Sequence, residues 1–162
     1  QGIHMLDLFR YLSDSEFKCL NAQLSNSFWS VECEDNAFLT LQSKDGVMAT
    51  LHSSATQWRH KFLLEMAFEN GYLNLDGILS STRSYAPETL ISGRREFEDV
   101  TFAMGKPKES ITYFEYDKSW ELELMEFVDA IKGISPVVNG TSNDALEIMK
   151  LADYVYGNFL IN

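Results

Sequence analysis

Apolar residues recur at Leu6, Phe9 and Leu12, flanked by Ile3 and Tyr11, and this three-to-four spacing predicts an amphipathic helix at the start of the chain. No Ser, Thr, Asp or Asn stands ahead of its first turn to take up the free N–H groups. Residue 1 is therefore read as a cut end, with the rest of a longer protein expected upstream. Ser13, Asp14 and Ser15 offer a break, and residues 16–24 read as a short helix or an irregular segment. Residues 28–33 alternate weakly, and Asp35 and Asn36 mark a turn.

From residue 37 the period changes to two. Residues 37–42 read as a strand, and Lys44-Asp45-Gly46 as a tight hairpin, because Asp-Gly accepts positive φ. Residues 47–53 alternate, with Val47, Ala49 and Leu51 on one side and Met48, Thr50 and His52 on the other. Residues 62–68 and 72–75 flank a second hairpin at Glu69-Asn70-Gly71. Two hairpins in succession argue for an antiparallel meander. Residues 80–84 form a polar loop, 88–93 an edge strand, and 98–110 a long aperiodic excursion. Residues 111–116 read as the last strand.

Two helices close the pattern. Asp117 caps the first, whose stripe is Trp120, Leu124, Phe127 and Ile131, and Gly133 ends it. Thr141-x-x-Asp144 is a capping box for the second, with Ala145, Ile148, Met149, Ala152, Val155, Tyr156 and Phe159 on its stripe. The expected class is α+β: an open, mainly antiparallel sheet with helices packed on one face. Phe38, Thr40, Met48, Thr50, Phe62 and Tyr113 mix apolar and polar character on the other face, which suits a dimer interface better than bulk water.

Composition narrows the class. A length of 162 residues with 45% hydrophobic content fits one domain with a real core. No apolar run approaches the roughly 20 residues that cross a bilayer, so no membrane partner is expected. A net charge of −11 repels nucleic acid, and Arg83 and Arg94-Arg95 are too short a set of cations to reverse that. Cys19 and Cys33 lack metal or disulfide spacing and read as buried free thiols of a cytoplasmic protein.

The opening Gly2-Ile3-His4-x-x-Asp7 run resembles the start of the C-terminal domain of the glucose-fructose oxidoreductase / inositol dehydrogenase (Gfo/Idh/MocA) family. There the pattern is usually Asp-x-Gly-x-His-x-x-Asp, and the leading Asp would fall immediately before Gln1. The helix over 120–131 and the closing helix after Asn139-Gly140-Thr141 support the likeness. The resemblance implies that residues 1–162 are a substrate-binding and dimerising domain, the C-terminal half of an oxidoreductase that acts on a secondary hydroxyl or ketone of a sugar or sugar nucleotide. It implies NAD or NADP in the full-length parent and none in this fragment, which has no Gly-x-Gly-x-x-Gly. The fragment alone is expected to be inactive.

His4 is the candidate catalytic acid/base, since an imidazole can take a hydroxyl proton as hydride leaves the same carbon. Asp7, one turn on, could orient the imidazole or bind a sugar hydroxyl, and Arg10 could pair with Asp7. A second cluster, Gln57-Trp58-Arg59-His60-Lys61, supplies Trp58 as a stacking wall and Arg59 or Lys61 as an anion partner. His52 is a weak candidate on the sheet surface, and residues 84–88 a weak candidate lid. Two rivals remain: a non-catalytic binding or assembly module of the same fold, and a metal-dependent hydrolase using His4, Asp7 and His60. The second lacks a compact third-ligand motif.

Overall fold

The computed structural model describes residues 2–95 and 107–161. The elements run α1 (Gly2–Ser13), β1 (Phe17–Ser25), β2 (Asn36–Ser43), β3 (Met48–Ser54), β4 (Leu63–Phe68), β5 (Gly71–Asp76), β6 (Glu88–Arg94), β7 (Glu109–Phe114), α2 (Ser119–Ile131) and α3 (Ser142–Asn158). The class is α+β, open and antiparallel. In place of one sheet there are two, ordered β1-β2-β3 and β4-β5-β6-β7. Residues 55–62, between β3 and β4, pair with neither. The chain divides into two compact units, residues 1–57 with 130–162, and residues 58–129.

In the first unit, α1 and α3 cover one face of the three-stranded sheet. Leu6 of α1, Leu39 and Leu41 of β2, Leu51 of β3 and Ile148, Leu151 and Val155 of α3 meet in its core. Leu41 is wholly buried, which contributes roughly 2 kcal/mol. The strand alternation holds: Ala37, Leu39 and Leu41 point inward, while Phe38, Met48, Thr50 and His52 are exposed on the opposite face.

Of residues 16–24, expected to be a short helix or irregular, all but Glu16 lie in β1. A bulge between Cys19 and Asn21 shifts the register, so the buried residues fall at Cys19, Ala22 and Leu24. The extra residue stretches one step of the period from two to three, and that spacing imitates a helix. Residues 28–33 form no strand. They are gathered by buried Asp35, whose Oδ2 accepts the backbone N–H groups of Ser27, Phe28 and Trp29 at 3.1, 2.7 and 3.1 Å. Burial pushes this carboxyl up, but the N–H donors and Asn36 outweigh it and hold it below its usual range. Cys33 lies in this loop and is exposed, against expectation, whereas Cys19 is buried.

Arg10 ties the unit together. Its guanidinium donates to both Glu16 oxygens at 2.8 and 2.5 Å, to Asp7 Oδ1 at 3.3 Å, and to Asp144 Oδ1 at 3.4 Å. Asp144 is in turn the capping-box partner of Thr141. One side chain thus links the end of α1, the approach to β1 and the start of α3.

The second unit is a four-stranded meander. The β6 strand is not an edge, because β7 pairs along its outer side. The excursion expected over 98–110 lies outside the described residues as far as 106, and from Glu109 the chain is strand. Tyr72, Gly93 and Glu109 stand directly opposite one another across β5, β6 and β7. A Cβ on Gly93 would lie 2.4 Å from the Tyr72 ring, so glycine lets that ring cross β6. The phenol then donates to Glu109 Oε1 at 2.5 Å. Helix α2 begins where Asp117 Oδ1 accepts from the Ser119 N–H at 2.9 Å, and none of its residues is buried.

The Glu16 carboxyl is held below its usual 4.5, chiefly by its hydrogen bonds to Arg10. A depressed carboxyl stabilises above its unfolded pKa, and that contribution fades as pH falls through the folded value. Glu16→Gln should therefore lower stability at pH 7 by on the order of 1 kcal/mol, the range of a solvent-screened pair. Thermal melts should show the gap between variant and wild type closing below about pH 4.

Candidate functional site

The α1 helix presents two faces. Leu6 and Phe9 pack inward, and Gly2 lies against β3, where a Cβ would sit 3.1 Å from Ser53 Cβ. His4, Asp7 and Tyr11, at spacings of three and four, share the opposite face, and all three are exposed. Among the described residues, His4 has neither a hydrogen-bond partner nor a ring contact. Asp7 is half-exposed and held by Arg10 at 3.3 Å, so it does not orient the imidazole in this arrangement. Its other carboxylate oxygen can still accept from a hydroxyl. His52 lies on the open sheet face, stacked on Phe38 with ring centroids 4.0 Å apart and planes at 9°. With Asn21, Gln23, Thr40 and Thr50 it lines an open depression of about 330 Å³.

Trp58, Arg59 and Lys61 belong to the second unit, as the lead-in to β4, and all are exposed. Trp58 is 92% exposed. The start of β4, the end of β5, the start of β6 and the end of β7 lie at one end of the sheet, because Leu63, Asp76, Thr89 and Tyr113 pair in one row. The lead-in and the 77–87 loop meet there. Gly77 donates to the Phe62 carbonyl at 3.0 Å, and Ile78 to the Tyr85 carbonyl at 3.2 Å. The His60 and Tyr85 rings approach to 4.9 Å. Arg83, at φ 54°, donates to the Glu115 carbonyl at 3.4 Å.

By sequence the 84–88 loop is a weak candidate lid, and Arg83 belongs to a set of cations too short to offset the net charge. The structure brings both beside the Trp58 cluster. The signal that could have found them is charge: residues 58–62 and 77–87 hold three of the 13 cationic side chains and none of the 24 acidic ones.

The described residues do not fit a dinucleotide. Both sheets are antiparallel, and no Gly-rich strand–turn–helix junction presents N–H groups to a pyrophosphate. Nor do His4, Asp7 and His60 form a metal-holding group among the described residues.

The family model of the GFO/IDH/MocA C-terminal domain matches residues 1–74. Over that stretch the chain resembles the C-terminal domain of the Gfo/Idh/MocA family, the likeness to which the His4–Asp7 run pointed. No curated protein matches the sequence. Among solved structures, the chain is similar to UDP-N-acetylglucosamine 3-dehydrogenase from Acidithiobacillus ferrooxidans, at 16% identity and a TM-score of 0.68, over 93% of this chain and 43% of that one. It is also similar to aldose-aldose oxidoreductase from Caulobacter crescentus, at 20% identity and a TM-score of 0.67, over 96% and 43%. A third is an NAD-binding protein from Listeria innocua, at 17% identity and a TM-score of 0.62, over 96% and 47%. At these identities the likeness establishes the fold. The chain spans less than half the length of each.

Gly77, at φ 78°, is the residue that lets the loop close on the sheet: a Cβ there would lie 1.8 Å from the Pro87 carbonyl oxygen. Gly133, at φ 70°, has nothing within 4 Å of its Cβ position. Gly133→Ala should cost about 1–2 kcal/mol from the left-handed backbone alone. Gly77→Ala meets that cost and a backbone collision as well. Urea unfolding should show the second substitution to be clearly the more damaging.

Proposed function

We propose that residues 1–162 are the substrate-binding and dimerising domain of an NAD(P)-dependent oxidoreductase that acts on a secondary hydroxyl, or the matching ketone, of a sugar or sugar nucleotide. The observation that carries this reading is His4, exposed on the outer face of α1 within the stretch that matches the family's C-terminal domain. A histidine with no fold partner on an amphipathic helix is available for proton transfer. In the oxidative direction His4 accepts the hydroxyl proton, and in the reductive direction it returns it. Asp7, anchored by Arg10, offers its carboxylate to a neighbouring hydroxyl. Trp58 supplies a ring for a sugar to lie on, and Arg59 and Lys61 supply positive charge. The hydride partner, NAD or NADP, belongs to the longer parent. Two of the similar structures support the substrate class, being named for a sugar nucleotide and for aldoses.

Dimerisation is assigned to the open sheet face. Phe38 and Met48 are 49% and 54% exposed there, side by side with hydroxyl-bearing threonines, a mixture typical of interface cores with polar rims. The cytoplasm, with its nicotinamide pool, is the compartment this activity would require.

In the full-length protein, His4→Ala should lower kcat/KM for the sugar substrate by about 10²–10⁴ with little change in KM. Intact turnover would remove the acid/base role. Sedimentation at micromolar concentration should give a dimer, and Phe38→Glu should shift it to monomer. A wild-type monomer would remove the interface.

A further inference from the structure

The open face of the three-stranded sheet carries a titratable group that neither proton transfer nor substrate contact uses. We propose that His52 makes the dimer pH-sensitive: two copies hold together through this face while its imidazole is neutral, and part when Nδ1 takes up a proton. The proposal rests on the dimer assigned above and names its regulation.

Charge selects the occupant of the face. Two copies that each carry −11 repel each other unless the surfaces that meet are free of negative charge. Strands β1, β2 and β3 contain no Asp or Glu, and Lys18 is their one Lys or Arg. Such a face fits a second acidic copy and offers a basic partner nothing to pair with. His52 stands on it in one row with Gln23 and Phe38, its ring flat on that of Phe38. With Asn21, Gln23, Thr40 and Thr50 it lines the depression of about 330 Å³. A copy that covers the face therefore encloses the imidazole among uncharged groups.

The proton has a defined place. Asn36 donates its amide to Asp35 Oδ1 at 3.0 Å and to Thr56 Oγ1 at 3.2 Å. A carboxylate only accepts, so the Asn36 amide oxygen is the atom turned toward His52 Nε2, 3.5 Å away. Nε2 then carries the N–H, and Nδ1 keeps the lone pair that takes a proton. In the monomer, water and the Phe38 ring face receive the imidazolium. Under a second copy the water is gone, and burial disfavours the charged ring. The surrounding charges do not offset that. Lys18 has the same sign and pairs in the row of Gln42 and Met48, four residues or roughly 13 Å along the strands. Lys44 and Asp45 lie beyond Met48 in the hairpin, where Asp45 accepts from Ser15. Asp35, behind Asn36, already accepts three backbone N–H groups and the Asn36 amide. Glu34 is bonded to Tyr156 of α3. The dimer thus binds fewer protons than two monomers, so its stability is present at neutral pH and is lost as pH falls through the imidazole range.

Sedimentation of the full-length protein at about pH 7.5 and about pH 5.5, at constant ionic strength, tests this. With two imidazoles per dimer, the dissociation constant should rise by about 10- to 100-fold between the two. His52→Gln should dimerise at the higher pH and change by less than about threefold at the lower. His52→Phe, which keeps a ring to lie on Phe38, makes the same comparison should glutamine loosen the contact. A wild-type constant that changes by less than about threefold would overturn the switch and leave the interface standing. So would variants that lose the dimer at low pH as the wild type does. A wild-type monomer at the higher pH would remove the interface, and the switch with it.

Discussion

The first unit depends on Arg10. Three segments far apart in sequence converge on one guanidinium: the helix it belongs to, Glu16 at the entry to β1, and Asp144 in the first turn of α3. A planar five-donor group can serve three carboxylates at once, which a lysine cannot do with the same geometry. Its partners hold it well above its ordinary pKa, the Glu16 hydrogen bond first among the causes. The consequence for function is positional. Arg10 fixes the rotation of α1 about its axis, so that Leu6 faces the core and His4 faces out. It also engages Asp7, whose carboxylate accepts from the guanidinium at 3.3 Å.

The second unit is organised by backbone more than by core. No large side chain in it is fully buried, and its buried positions among the described residues are Gly77 and Gly93. Each marks a close approach: a loop carbonyl over Gly77, and the Tyr72 ring over Gly93. The Tyr72–Glu109 bond across Gly93 raises the phenol pKa, and it joins β5 to β7 through side chains over the strand between them. A unit held this way presents much apolar surface. On α2, Trp120, Leu124, Phe127 and Ile131 are all more than half exposed.

The sequence carried the strands flanked by clean turns and the capped helix most legibly. Lys44-Asp45-Gly46 and Glu69-Asn70-Gly71 give the hairpins, and Thr141 with Asp144 gives the start of α3, because in each case the chemistry of two or three adjacent residues decides the local backbone. The failures have a common cause in longer-range geometry. At β1 one bulged residue broke the period that identifies a strand. At β6 the neighbour that makes it interior lies across residues 95–108, beyond any local pattern. The separation into two sheets depends on pairing that residues 55–62 do not make, which composition does not encode. For the site, His4 and Asp7 were legible because helical spacing places them on one face. Asp7's engagement with Arg10 was also visible as a three-residue spacing. The meeting of His60 with Tyr85 was not, because it joins segments 25 positions apart through a hairpin and a loop.

The two groups of candidate residues stand on supports of different stiffness, and this bears on what each can do. His4 projects from a helix whose inner face is packed into the only extensive core among the described residues, so its position is fixed by the same burial that stabilises the unit. A proton-transfer group needs that precision, since its efficiency depends on reaching one atom of the substrate within hydrogen-bond distance. The cations at the sheet end project from connecting segments bonded through backbone amides, with little apolar burial beneath them. Long flexible side chains on such segments suit recognition of a charge spread over many oxygens, where several geometries serve equally well.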